Sequence, residues 1–309
     1  MTVPADAVTA TVTAGSRRVG LTNLGKVFFP ESGFTKRDLL QYYADVAPLL
    51  LPHVTDRAMV MKRYPHGAQG EFFFMKRTPP GAPAWLRTCS IAHGSGNVID
   101  FPVVDDVAAL LWIVNLGCID LNQWYATCDD VDRPDYVHFD LDPVKGPNGP
   151  TPFDVVRRGA LAVKTALDEL AMPSVAKTSG SNGIHVYVPI ARGPVQHDVW
   201  RFAKAFAVAL AARHPDLLTA EYKIAKRPIG RVLVDYNQNA WGRTLASVYS
   251  VRPTPRATVS TPVTWDEIER GIVIDDFRLD NVRERLAQTG DLWAPLLANG
   301  KRVELERFL

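Results

Sequence analysis

The sequence predicts an α+β fold, and three observations predict it. Apolar stripes at helical spacing run through Leu39–Leu50, Val155–Leu170 and Asp198–Arg213. Short strand-like runs lie between and beyond them, at Ala58–Pro65, Tyr136–Pro143, Ser174–Thr178, Ile184–Ile190 and Arg231–Tyr236. The chain has 309 residues, 47% of them hydrophobic, enough to bury a large core as one composite domain or two smaller ones.

Composition narrows the function classes. The formal net charge is +2, so no global basicity announces nucleic acid and any such footprint must be local. Cys89, Cys118 and Cys128 form no CxxC and cannot all pair, which points to a reducing, cytoplasmic setting without a structural zinc site. The chain shows neither a signal-peptide pattern nor a run apolar and long enough to span a bilayer, so no membrane partner is expected.

In chain order, residues 1–16 read as a flexible lead-in rich in Ala, Thr and Val. Leu21–Pro30 is a loop entering a short apolar run. Thr35 is a good N-cap with Asp38 three residues on, and a helix carrying Leu39, Leu40, Tyr43, Val46 and Leu50 follows. Lys26 and Lys36 flank this unit. Ala58–Pro65 is a strand running into Lys62 and Arg63. Gly70–Arg77 sets Phe72, Phe73 and Phe74 beside Lys76 and Arg77, a mixture suited to base stacking with phosphate contact. Strand alternation places at least one of those rings in the core. Thr78–Pro83 is a loop, and Asp105–Trp124 reads as one long buried helix.

Pro147–Pro150 breaks the chain, and Pro152–Leu170 is a helix. The strand Ser174–Thr178, the loop Ser179–Gly183 and the strand Ile184–Ile190 come next, then a helix over Asp198–Arg213. Arg231–Tyr236 is a strand that ends in an acid, and Ser247–Pro253 one that ends in Arg252. Thr264–Glu267 opens a short helical stretch, and Leu279–Gln288 is a last helix.

The chemistry centres on Tyr136–Pro143. Successive strand residues alternate faces, so Asp140 and Asp142 point the same way, roughly 6–7 Å apart, with Phe139 and Leu141 toward the core. Two carboxylates that close repel unless a cation lies between them, and hard divalent ions take such oxygen ligands. A lone DxD is equally a solvated strand end. Asp235 supplies a third acid at another strand end. The Ser179–Gly183 loop can offer N–H groups and hydroxyls to phosphate, with His185 just beyond it as a donor. Arg252 suits a triphosphate. Together they point to metal-dependent phosphoryl or nucleotidyl transfer, and the absence of GxxxxGK[ST] excludes a P-loop enzyme. A phosphatase using one Asp of the DxD as nucleophile is an alternative that leaves Asp235, Gln238 and Arg252 without a task.

The order Asp140-Leu141-Asp142, Ser179-Gly180-Ser181-Asn182-Gly183-Ile184-His185 and Val234-Asp235-Tyr236-Asn237-Gln238-Asn239 resembles the three motifs of the archaeo-eukaryotic primase superfamily. The match is to the polymerase domain of the bacterial end-joining ligase D and its stand-alone relatives. It runs from about Leu21 to Leu286 and includes Tyr249–Arg252.

The resemblance implies a primase-type catalytic core, in which an RRM-like antiparallel sheet carries the acids with an α/β module around it. It implies a single composite domain over 17–290 and a C-terminal extension over 291–309. It implies a DNA-directed polymerase or primase that extends primers and fills short gaps in end-joining repair, prefers ribonucleotides, and works by a two-metal mechanism with Mn²⁺ or Mg²⁺. Asp140 and Asp142 would bind both ions, and Asp235 the catalytic one. Lys62, Phe74, Ser179, Asn182, His185, Gln238 and Arg252 would meet the incoming NTP or dNTP. Asn23, Lys26 and Lys36 would contact DNA, the lysines at the 5′-phosphate of a gapped or broken duplex. A cytoplasmic, nucleoid-associated, stand-alone enzyme follows, working with a separate ligase and an end-binding protein. Asn182 and Asn122 depart from the family pattern, where lysine and histidine are frequent. A non-catalytic gap- or end-binding module derived from such a polymerase is therefore the alternative.

Overall fold

The computed structural model describes residues 1–5, 7–147, 149–298, 300 and 302–309. Asn148, within the expected chain break, lies outside the described residues. The chain divides into two units, one of residues 1–129, 244–260 and 277–290, the other of residues 130–243, 261–276 and 291–309. The composite domain expected over 17–290 draws on both units, and 291–309 belongs to the second.

In the first unit, the expected lead-in carries a strand, Thr9–Ala14, paired antiparallel with Arg17–Thr22. The run Thr-Ala-Thr-Val-Thr-Ala has the period of two that a strand needs, with Val12 buried, and Gly15 turns the chain at φ +62°. Helix α1 (Lys36–Val54) starts where its cap predicts. Asp38 N donates to the Thr35 hydroxyl and the Asp38 carboxylate accepts from Thr35 N, a reciprocal capping box. Leu39, Leu40, Tyr43, Val46 and Leu50 are buried along its length.

The helix expected over Asp105–Trp124 is instead a short helix, α2 (Val107–Asn115), followed by a strand, Cys118–Gln123. Gly117 separates them at φ +84°, where a Cβ would lie 3.1 Å from the Tyr64 carbonyl. The strand is buried on both faces, so it lacks the alternation that distinguishes a strand from a buried helix. Cys118–Gln123 pairs antiparallel with Met59–Arg63, which pairs on its other side with Phe73–Met75.

That last strand corrects a second expectation. Phe72, Phe73 and Phe74 are 50%, 42% and 58% exposed, so none enters the core. They lie at a three-residue edge strand, where cations meet the rings: Lys62 Nζ is 4.2 Å from the Phe72 centroid and the Arg63 guanidinium 5.2 Å from that of Phe73, while the buried Tyr64 ring packs on Phe72 at 5.4 Å. Ser247–Pro253 is likewise no strand. Its one bridge joins Val251 to Val259. Backbone and side chains hold it together: Tyr249 N donates to Ser260 O, Arg252 N to Thr258 O, the Tyr42 hydroxyl to Tyr249 O and Leu121 N to Ser250 Oγ, with Tyr249 buried at φ +59°.

The second unit is built on a six-stranded sheet in the order Leu218–Thr219, Val232–Asp235, Tyr136–Pro143, Ile184–Pro189, Val175–Thr178 and Pro262–Val263. The first pair is parallel and the others antiparallel. Helices α3 (Phe153–Glu169) and α4 (Gln196–Arg213) cover one face. Phe139 meets Phe206 of α4 at 4.6 Å, and Gly159 of α3 lets its helix approach Leu218 and Val232. Val232 is the partner of Pro143 in register and so shares the face of Phe139 and Leu141. The opposite face is left for Tyr136, His138, Asp140 and Asp142. An antiparallel sheet with its long helices on one side and acids on the other is the core architecture that the motifs imply.

Candidate active site

In the second unit, four ionisable residues stand in one row across four adjacent strands. Lys177 is directly opposite His185, His185 opposite Asp140, and Asp140 opposite Asp235. Residues so paired share a face and are close neighbours. Lys177 Nζ is 2.8 Å from His185 Nδ1, and His185 Nε2 is 3.2 Å from Asp140 Oδ1. Lys177, His185 and Asp140 are 1%, 3% and 6% exposed, whereas Asp142 is exposed and Asp235 half-buried.

Neighbouring groups fix this row. Asp235 accepts from Asn237 N at 2.9 Å and from Gln238 Nε2 at 3.0 Å, so Gln238 braces an acid. Asn239, fully buried, accepts from His138 N and donates to His138 O, tying the turn after Asp235 to the Asp140 strand. His138 stacks on Tyr187 at 5.2 Å. Burial, with His185 and Lys177 nearby, pushes its pKa down to about 3 and keeps it neutral.

The Ser179–Gly183 loop closes on itself. Ser179 Oγ accepts from Ser181 N at 3.1 Å and Gly183 N at 2.9 Å, and Ser179 N donates to Gly183 O. Three of the amides that the sequence offers to a phosphate are thus already used. Asn182 is exposed at the loop tip. His185 Nδ1 is engaged by Lys177, and its Nε2 lies beside the Asp140 carboxylate.

The donor chemistry fits a hard divalent ion: the carboxylates of Asp140, Asp142 and Asp235 offer oxygen ligands alone, on one face of one sheet. Among the described residues no three His, Cys, Asp or Glu side chains already close on one point, and Asp235 is turned toward Asn237 and Gln238.

The first unit gathers two further clusters. Lys62 lies opposite Asp120 across paired strands, with Lys62 Nζ at 3.9 Å and Arg252 Nε at 3.4 Å from Asp120 Oδ2. Asp120 is 1% exposed. Burial lowers the Lys62 pKa, while Asp120 raises it and Arg252 lowers it. Asn122 Nδ2 donates to Asp120 O. Lys62 also lies over the rings of Phe72 and Phe74, making a cationic, aromatic surface.

The second cluster surrounds the start of α1. Asn23, at φ +55°, leads a turn in which Lys26 N donates to Asn23 O and Lys36 N to Lys26 O. Lys26 Nζ donates to Pro65 O and Lys36 Nζ to Thr22 O, both at 2.7 Å. Lys36 is only 4% exposed, unlike the solvated lysine that its sequence setting suggests. Burial, then Lys26 and Arg63, lowers its pKa to about 8. Asp38 already occupies the helix end through the capping box, so positive charge here comes from the side chains.

Sequence reasoning missed Lys177, Asp120 and Arg63, because what each does is set by the strand opposite or by a distant loop. It also passed over the exposed segment Tyr222–Ile229, where Tyr222, Ile224 and Ile229 alternate with Lys223 and Lys226. The interleaving of basic and apolar residues was the available signal.

Comparison with known proteins converges on the same family. The family described as "LigD, primase-polymerase domain" matches residues 35–293. The multifunctional non-homologous end joining protein LigD of Mycolicibacterium smegmatis is 34% identical over 284 residues, 91% of this chain and 36% of that protein. The bifunctional non-homologous end joining protein LigD of Bacillus subtilis is 31% identical over 274 residues, covering 88% and 43%. The chain thus spans less than half the length of these relatives. The polymerase domain from Mycobacterium tuberculosis Ligase D, solved in complex with DNA, superposes with a TM-score of 0.83 at 30% identity, over 91% of this chain and 99% of that one. With the acids in register on one sheet and the family matched from helix α1 onward, the chain belongs to the LigD primase-polymerase domain family.

Proposed function

We propose that this chain is a template-directed nucleotidyltransferase that extends primers and fills short gaps in end-joining repair, with a preference for ribonucleotides. The observation that carries the reading is the register that sets Asp140 opposite Asp235, with Asp142 one repeat along the same face. Asp140, Asp142 and Asp235 would hold two divalent ions, Mn²⁺ or Mg²⁺. Bound there, they supply activation of a primer 3′-hydroxyl and charge stabilisation at a leaving pyrophosphate. Ser179, Asn182 and Arg252 contact the nucleotide's phosphates, and Lys62 and Phe74 its base and sugar side. Gln238 holds Asp235 in place, and His185 joins Ser179 and Arg252 at the phosphates.

Asn23, Lys26 and Lys36 take the 5′-phosphate downstream of a gap. Burial and the Lys26 charge disfavour the Lys36 ammonium, and a bound dianion would relieve that repulsion. The partner is therefore gapped or broken duplex bearing that phosphate, with sealing left to a ligase activity. Primer extension on a short gapped duplex tests the reading, comparing ribonucleotides with deoxyribonucleotides and Mn²⁺ with Mg²⁺. Metal-dependent extension is expected. Tight binding without extension under any of these conditions would favour a non-catalytic end-binding module and point to Asn122 and Asn182.

A pH effect follows from Lys36. Its ammonium is the binding form, and it begins to lose its proton near pH 8 in the free protein. A bound phosphate favours the charged form. Preference for 5′-phosphorylated over 5′-hydroxyl duplex should therefore be full at pH 7 and shrink as pH rises through 8 and 9. Fluorescence anisotropy with both duplexes reads this, and Lys36→Met should flatten the pH dependence. A ratio constant from pH 7 to 9 in the unsubstituted protein would remove Lys36 from the phosphate site.

A further inference from the structure

Two of the three cysteines, which no sequence motif joins, meet in the first unit. We propose that Cys89 and Cys128 are a modification site, closing to a reversible disulfide when the protein meets a hydroperoxide. The proposal does not depend on the catalytic reading. Cys89 lies on the strand Thr88–Ala92, which pairs antiparallel with Val98–Pro102, and is 4% exposed. Cys128 follows the strand Cys118–Gln123 and is half-buried. One network brings both to the same place. Cys128 N donates to Asp56 O at 2.7 Å. Arg87, two residues before Cys89, pairs with the Asp56 carboxylate and with Asp105, the latter at 2.6 Å. Asp105 accepts from Asp56 N at 2.9 Å, and Arg87 O accepts from Val103 N at 3.0 Å. The two thiols are hydrogen-bonding neighbours, and the charges of Arg87 and Asp56 act on both.

The contact favours one thiolate in the pair. Donation from the Cys128 thiol lowers the Cys89 pKa, against the opposing effect of burial, and Arg87 lowers it further. The proton that remains is held harder, so the Cys128 pKa rises. A readily ionised thiol beside a second, resolving thiol is the arrangement that oxidation converts to a disulfide. Cys118 differs: it is fully buried, and burial pushes its pKa up. The reaction balances between the pair and the oxidant. An S–O bond forms on one sulfur as the O–O bond breaks, and the thiol proton leaves with the alcohol or water. The second sulfur then displaces that oxygen, forming the S–S bond and releasing water with the second thiol proton. The sulfurs lose two electrons and the hydroperoxide gains them. The loop so closed, about 40 residues, includes α2 and the strand that carries Asp120. In a reducing setting such a bond is transient, which suits a response to oxidant rather than a permanent staple.

The full chain tests the proposal without any substitution. Reduced protein, freed of reductant, is treated with hydrogen peroxide, alkylated under denaturing conditions, and read by intact mass and peptide mapping. The expected result is a single chain lighter by two hydrogens before alkylation, with Cys89 joined to Cys128, Cys118 alkylated, and the link reversed by dithiothreitol. The link should form at least about tenfold faster than Cys118 is oxidised. Cys118→Ser should leave it unchanged, and Cys89→Ser should abolish it. Sulfinic or sulfonic acid on Cys89 or Cys128 without a cross-link would overturn the proposal. So would a link through Cys118, a link between two chains, or three thiols that all remain alkylatable after peroxide.

Discussion

Asp140→Asn is expected to abolish primer extension while leaving the affinity for gapped duplex unchanged. Asp140 is opposite both His185 and Asp235, so it is the acid with most of the site built around it. The amide keeps the volume, removes the charge and offers a hydrogen-bond donor beside the Asp235 carboxylate. Loss of one ligand carboxylate at a two-ion site forfeits about 4 kcal/mol of transition-state stabilisation or more, roughly a thousandfold in rate. The proposed DNA contacts, Asn23, Lys26 and Lys36, belong to other elements and are untouched. Single-turnover extension alongside duplex binding separates the two outcomes. Extension near the unsubstituted rate would remove Asp140 from the chemistry, and a parallel loss of DNA binding would give it a structural role.

Gly183→Ala is the second large effect. A Cβ at this position would lie 2.5 Å from the Leu141 carbonyl oxygen and 3.2 Å from Asp142 Oδ1. The carbonyl is backbone of the central strand and cannot swing away. The loop is also fastened at this residue, since Gly183 N donates to Ser179 Oγ and Gly183 O accepts from Ser179 N. The methyl group must therefore push the Ser179–Gly183 loop off the strand that bears the acids. Forced overpacking of this kind costs roughly 1–3 kcal/mol. For a chain of this size that lowers Tm by several degrees, at about 2–4 °C per kcal/mol. Extension should fall by at least about tenfold, since a small misplacement at a reacting centre can cost a hundredfold. Gly94→Ala, where a Cβ meets nothing within 4 Å, is the matched control and should change neither property. An unshifted Tm for Gly183→Ala would mean that the loop yields without cost and does not position Asp142.

The sequence by itself determined those features that depend on near neighbours along the chain. Thr35 and Asp38 specify the start of α1 because a capping box is closed within four residues. The period of two in Tyr136–Pro143 puts Asp140 and Asp142 on one face and Phe139 and Leu141 on the other, and the order of three short motifs was enough to indicate the family. Where periodicity is lost, the reading failed: Cys118–Gln123 is buried on both faces and passed for helix until Gly117 showed the break. Only the tertiary structure decided which residue stands opposite which. Lys177 meets His185, Lys62 meets Asp120, and Phe72 to Phe74 stay exposed under Lys62 and Arg63, because register between strands distant in sequence depends on the whole sheet. The acids could be named from the sequence, whereas the groups that hold them required the fold.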